Sequence, residues 1–197
     1  MVLSRDADPT YVALGAGRYA VPQTDSLFYE VEVFDGWDVF AGAFFNTSGI
    51  SGGIHFVSHA GSRTGLPTHP CRDHTLTRVG PGVRGLADAL ARQPLLQVST
   101  PRPVTVGGRN GLSLTVTVPP RVDSSQCESS AVVVYSPSGR ADDAWQGGGG
   151  YVGRLWILDV DGERYVIHAE CSTDCTGEEV DILIRMSESI TFTRVPG

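Results

Sequence analysis

The chain has 197 residues, 41% of them apolar and 19% charged, the proportions of a globular domain and not of a disordered segment. Fifteen basic residues stand against 22 acidic ones, a formal charge of −7 that repels phosphate backbones and anionic membranes and argues against nucleic acid as a partner. Every basic residue is an arginine, which excludes a Schiff-base lysine, a phosphate-loop lysine and a Ser-Lys dyad.

Residues 1–17 read as a polar, glycine-rich, flexible lead-in, and 18–197 as a single domain with no internal repeat. In FYEVEVF (28–34), Tyr29, Val31 and Val33 alternate with Glu30 and Glu32, the pattern of a strand with one buried face. Asp35-Gly36 turns the chain into WDVFAGAFF, read as one further apolar strand. NTSGISGG (46–53) is a loop, GIHFVSH (53–59) a strand, and GSRTGLPTHP a second loop leading to Cys71. Val83, Leu86, Ala87, Leu90 and Ala91 then recur at helical spacing, so 83–93 is an amphipathic helix ended by Pro94.

PVTV (103–106), Gly107-Gly108 and LSLTVTV (112–118) predict a hairpin whose second arm alternates strictly. AVVVY (131–135) is a short strand, and SPSGRADDAWQGGGG (136–150) is read as a long mobile loop, because four consecutive glycines have much entropy to lose. RLWILDV and RYVIHAE meet across Asp161-Gly162, the dipeptide that best supplies a two-residue hairpin turn. Thr176-Gly177-Glu178-Glu179 matches a capping box opening a helix over 177–188, with Val180, Leu183, Ile184 and Ser187 on its inner stripe. ITFTR closes the chain as a strand.

Hairpins joined in series with two amphipathic helices predict an α+β fold: a single antiparallel sheet with both helices packed on it. Three stretches carry a family likeness: the early strand running into Asp35-Gly36-Trp37, Pro103-Val104-Thr105-Val106-Gly107-Gly108 before the middle strand, and the closing strand-turn-strand-helix-Ser187-Glu188-Ser189-Ile190-Thr191-Phe192. This order of elements resembles the Mog1/PsbP-like superfamily, most of all its small secreted or lipid-anchored domains in actinobacteria. The resemblance implies that fold and a secreted habit, and no activity.

Four cysteines bear on compartment. Cys71 and Cys127 lie in turn-like contexts and read as a long-range disulfide, and Cys171 and Cys175 as a small second bridge; other pairings, or free thiols in a cytosolic chain, are the alternatives. Disulfides persist in oxidising compartments, which points to an extracytoplasmic protein, secreted or anchored in the envelope. MVLSRDADPT lacks the apolar core of a signal peptide, and no apolar run approaches the roughly 20 residues of a membrane span.

Candidate sites are sparse. Gly80-Pro81-Gly82-Val83-Arg84-Gly85 spells a dinucleotide fingerprint, but no Asp or Glu occurs between Asp88 and Asp123 to hold a ribose, so the glycines read as a turn into the helix. His69 and His74 flank Cys71 at spacing that could hold a metal, with Cys127 as a further ligand, and His55 and His59 share one strand face. Asp142, Asp143, Trp145 and Tyr151, around the glycine run, form a candidate binding loop. Asp159 and Asp161 lack the acidic series of a calcium loop, and Asn46-Thr47-Ser48 is a glycosylation sequon. With no catalytic constellation and no cofactor implied, the expected function is a non-enzymatic extracytoplasmic domain that binds a protein or cell-envelope ligand through its sheet face or loops. The alternatives are a small-molecule or lipid-binding module with an apolar groove between sheet and helices, and a metal-dependent enzyme built on His55, His59, His69 and His74.

Overall fold

The computed structural model of the protein describes residues 3, 12–40, 42–46, 53–171 and 176–194. The first half holds β1 (Val12–Leu14), β2 (Gly17–Pro22), β3 (Leu27–Val33), β4 (Trp37–Phe40), β5 (Ala43–Asn46), β6 (Ile54–His59), β7 (Gly65–His69), β8 (Asp73–Arg78) and α1 (Gly82–Ala91). After it come β9 (Gln97–Val98), β10 (Arg102–Val106), β11 (Arg109–Thr117), β12 (Val132–Tyr135) and β13 (Trp145–Gly147). The chain closes with β14 (Val152–Val160), β15 (Glu163–Cys171), α2 (Gly177–Glu188) and β16 (Thr191–Arg194).

One sheet of nine strands forms the middle of the molecule, in the order β1-β4-β5-β6-β15-β14-β11-β10, with β9 also pairing β11. Alternate residues of its central strands feed two separate cores. On one face Trp156, Leu158, Tyr165, Ile167 and Ala169 pack against a three-stranded sheet, β16-β3-β2, and the inner stripe of α2. On the other, Leu112, Leu114, Val116, Leu155, Ile157 and Val166 pack against Leu86, Ala87 and Leu90 of α1 and Val132, Val134 and Tyr135 of β12. A period of two residues along each strand is therefore what separates the cores.

Strong local signals give the expected elements. Asp161 and Gly162 adopt φ of 58° and 86°, and their turn sets Val160 opposite Glu163 in the β14–β15 hairpin. The capping box forms at Thr176 and Glu179, and α2 spans 177–188 as read. Tyr29, Val31 and Val33 are buried on one face of β3, and Trp37 and Trp156 are core residues.

The architecture departs from the expected one. Strands greatly outnumber the two α-helices, and they divide into a nine-stranded sheet, a three-stranded sheet and two hairpin sheets, β7-β8 and β12-β13, in place of a single sheet carrying helices. Four local differences explain part of this. The apolar run 37–45 is a hairpin bent at Gly42, whose φ is 80°. The loop before Cys71 contains β7, and the supposed mobile loop at 136–150 contains β13, paired to β12. Val12–Leu14, within the lead-in, is an edge strand of the large sheet. The rest is long-range pairing: β3 and β4 follow one another across Asp35-Gly36 but enter different sheets, and β3 takes β16 from the far end of the chain as its neighbour.

Cys71 and Cys127, 56 residues apart, are joined in a disulfide. Cys171 is also disulfide-bonded, and Cys175 lies outside the described residues. A disulfide is compatible with an extracytoplasmic location. No helix among the described residues is long and apolar enough to cross a membrane.

Candidate functional site

The side chains of β11 sort by face. Leu112, Leu114 and Val116 point into the α1 core, so Ser113 and Thr115 lie on the opposite face. Strand register extends that face sideways: Arg102, Ser113 and Trp156 form one row across β10, β11 and β14, and Thr115 and Arg154 form the next. Helix α2 packs on β3, β6 and β15 and leaves these rows open. The result is a groove of about 530 Å³ with the sheet as floor and Ile184 and Glu188 of α2 as a wall. Its volume falls in the range of small-molecule sites.

The lining is mixed. Trp156, Val104 and Ile184 supply an apolar strip, while Thr100, Ser113, Thr115, Arg102, Arg154 and Glu188 are polar. Among the described residues neither guanidinium has a hydrogen-bond or carboxylate partner, in contrast to Arg18, Arg140 and Arg194, which reach Glu30, Asp142 and Asp161. Two cations beside free hydroxyls can hold an anionic or hydroxyl-rich ligand.

A second cluster lies on the α1 side of the sheet, where β15 carries His168 and Glu170 two residues apart. His168 Nδ1 is 3.3 Å from the Tyr135 hydroxyl, and Nε2 is 2.6 Å from that of Tyr151. Trp145 Nε1–H donates to both the Tyr151 hydroxyl, at 2.9 Å, and the Glu170 carboxylate, at 2.8 Å. The Phe56, Trp145 and His168 rings pack in tilted contact, with centroids 4.6–4.9 Å from one another. Burial drives the His168 imidazole well below its usual range and pushes the Glu170 carboxyl up to about 7, against the hydrogen bonds from Trp145 and Tyr151. The Tyr151 phenol is pushed well up by burial and by the Glu170 charge. This chain of polar groups ties β12 and β13 to β15. Neutral forms are favoured throughout its depth, and Glu170 is its one group poised to titrate near neutrality.

Of the expected binding loop, Trp145 and Tyr151 belong to this cluster. Asp142 pairs with Arg140 on the surface, and Asp143 accepts from the Ser136 hydroxyl and from the Ser138 N–H, so both hold local structure. The expected metal residues do not converge. His55 and His59 do share a face, but four residues of extended strand separate them by about 13 Å. His55 is fully buried beside Phe44, and His59 pairs with Glu163 at 3.0 Å. His69 accepts from the Cys71 N–H, whose thiolate is consumed in the disulfide; the His74 side chain lies outside what is described. Among the described residues no three of His, Cys, Asp and Glu gather into a metal-holding group.

The glycines at 80–85 make a turn, and the buried Arg164 is what binds it. Its guanidinium donates to the carbonyls of Gly80 and Gly82 at 2.8 and 2.7 Å, and to Gly61 at 3.0 Å. A Cβ on Gly85 would sit 2.3 Å from the Gly80 oxygen, so this close approach admits glycine alone. The strand before the turn pairs antiparallel with β7, unlike the βαβ unit of a nucleotide site. Asp159 accepts from the Gly162 N–H within the hairpin turn. Thr47 and Ser48 of the sequon lie outside the described residues.

Sequence reasoning missed Arg164, His168 and Glu170, although a signal was present: in RYVIHAE the polar residues occupy every second position but one, on a single face of an otherwise apolar strand. It also missed Arg102 and Arg154, for which no local signal exists, since register between strands brings them together.

No protein-family model matches the chain, and no curated protein matches it. A crystal structure of a protein from Bacteroides thetaiotaomicron VPI-5482 is similar over 89% of this chain and 50% of its own length, with a TM-score of 0.38 and 10% identity. This chain thus spans half the length of that structure, and a likeness of that degree carries no argument about fold or function.

Proposed function

We propose that this chain is a non-enzymatic extracytoplasmic binding domain that takes a small cell-envelope ligand in the groove between its large sheet and α2. The observation that carries the reading is the pair of arginines, without partners among the described residues, on the floor of an open groove of about 530 Å³. The extracytoplasmic setting rests on the Cys71–Cys127 disulfide. A binding role is favoured over a reaction because the described groove residues hold hydroxyls and arginines without a histidine or a second carboxylate. A lipid chain is a poorer occupant, since it would cover the guanidiniums without pairing them.

Thr115→Trp fills the floor of the groove and is the appropriate blocked variant. Thermal unfolding of wild type and variant is compared against a panel of sugars, sugar acids, amino acids, dicarboxylates and acyl amphiphiles. A ligand at 100 times its Kd stabilises by about 2.7 kcal/mol, several degrees in Tm for a chain of this size. At least one compound class is expected to raise the wild-type Tm and leave a folded Thr115→Trp protein unchanged. A panel without effect, or stabilisation that persists in the blocked variant, overturns the reading.

A further inference from the structure

From the chemistry of the groove lining we infer that its ligand is an acidic sugar: a saccharide unit that carries one carboxylate and several hydroxyls. This inference rests on the groove being the binding site. Arg102 and Arg154 stand two strands and two residues apart on the same face, which sets their Cα atoms about 12 Å from one another across the hydroxyl floor. Each presents a planar fork of donors suited to a carboxylate, and each is without a counter-charge among the described residues.

Between and beside them the hydroxyls of Thr100, Ser113 and Thr115 make no hydrogen bond among the described residues, whereas Ser99 accepts from the Thr115 N–H. Such hydroxyls can pair with groups that both donate and accept, which is the property of an alcohol. Glu188, on the α2 wall, is likewise unpaired among the described residues and can only accept while ionised. Sugar hydroxyls can donate to it. Trp156, Val104 and Ile184 give the C–H face of a pyranose ring an apolar surface to lie against.

Competing ligand chemistries each leave part of this lining unserved. A phosphate ester brings a dianion toward Glu188, where like charges repel. A hydroxyl-free dicarboxylate satisfies the arginines but gives Glu188 nothing to accept. A neutral sugar serves the hydroxyls and Glu188 but leaves both guanidiniums without an anion. One carboxylate on a polyhydroxylated ring gives one guanidinium its anion, while the ring hydroxyls can serve the other guanidinium, Glu188 and the hydroxyl floor.

Isothermal titration of the full chain with sodium D-glucuronate, D-galacturonate and trigalacturonate tests the assignment, against D-glucose, D-galactose, glucose 6-phosphate and glutarate. Binding of a uronate is expected to exceed that of its neutral parent sugar by about tenfold or more, as a charge-assisted pair provides. Arg154→Gln and Arg102→Gln, both at exposed positions and checked for native near-UV dichroism, should abolish that difference, and rising salt should shrink it. If trigalacturonate binds and the monomers do not, the acidic unit is read within a polymer; if the monomers bind equally, it is read as a free sugar acid. Either result supports the inference. Equal binding of neutral sugars, or stronger binding of glucose 6-phosphate or glutarate, overturns the acidic-sugar assignment while leaving the groove as the site, provided Thr115→Trp abolishes it. Absence of binding by every probe overturns the assignment outright. Binding that survives Thr115→Trp overturns the groove reading with it.

Discussion

His55 is fully buried on β6, and neither ring nitrogen finds a hydrogen-bond partner among the described residues. Burial outweighs a contact with its own main chain and lowers its pKa to about 3. The unfolded chain therefore takes up a proton near pH 6.5 that the folded chain refuses, so this stability is complete above pH 6.5 and is lost as pH falls toward 3. His55→Leu should raise stability by about 1–3 kcal/mol at neutral pH by removing an unpaired polar group, and should flatten the acid limb of a urea-midpoint profile. Glu170 works in the opposite sense. Its folded pKa is raised to about 7, so its contribution is complete below pH 4.5 and is lost as pH rises through 7. Glu170→Gln should consequently gain on wild type as pH increases, and urea midpoints of the two proteins between pH 4.5 and 8.5 check the sign. Neither effect could be assigned from sequence, where His55 and His59 only share a strand face and Glu170 ends the run RYVIHAE.

Among elements, α2 was the most legible and is also a wall of the groove. Its N-terminus is closed by reciprocal bonds: Glu179 N–H donates to the Thr176 hydroxyl at 3.3 Å, and Thr176 N–H donates to the Glu179 carboxylate at 2.7 Å. Thr176→Ala should cost about 1 kcal/mol, measured as a shift in urea midpoint with an unchanged slope. The β14–β15 hairpin was equally plain, because an Asp-Gly turn forces its own dihedrals. The β4–β5 and β7–β8 hairpins were not plain, since Ala41-Gly42 is a weak turn signal inside an apolar run and β7 contains a proline. Met186 illustrates the same limit on a helix: it is fully buried, yet the inner stripe as read from spacing omitted it in favour of Ile184, which proves half-buried on the groove wall.

At the scale of the molecule, two cores share one sheet, and the disulfide ties the segment after β7 to the segment before β12. Closing a loop of 56 residues limits the unfolded chain by up to about 4 kcal/mol in the chain-entropy model. Cys71→Ser with Cys127→Ser should lower stability by roughly 2–4 kcal/mol, and wild type in reductant, which also opens the bond at Cys171, should fall at least as far. A double variant as stable as the oxidised wild type would show that the α1-side core holds these segments unaided.

Charge balance, the absence of lysine, the turn dipeptides and the helix cap were all available from neighbouring residues and simple counting, because each depends on local dihedrals, local hydrogen bonds or composition; which cysteines pair was left open among alternatives, since Cys71 and Cys127 lie 56 residues apart. The division into two cores, the recruitment of β16 beside β3, and the meeting of Arg102 with Arg154 were not. They arise from register between strands tens of residues apart, and a shift of one residue in that register would turn Ser113, Thr115 and both arginines' neighbours to the opposite face. Such register is selected by which side chains fill the cores on both sides of the sheet at once, a condition that exists only when the whole chain is packed.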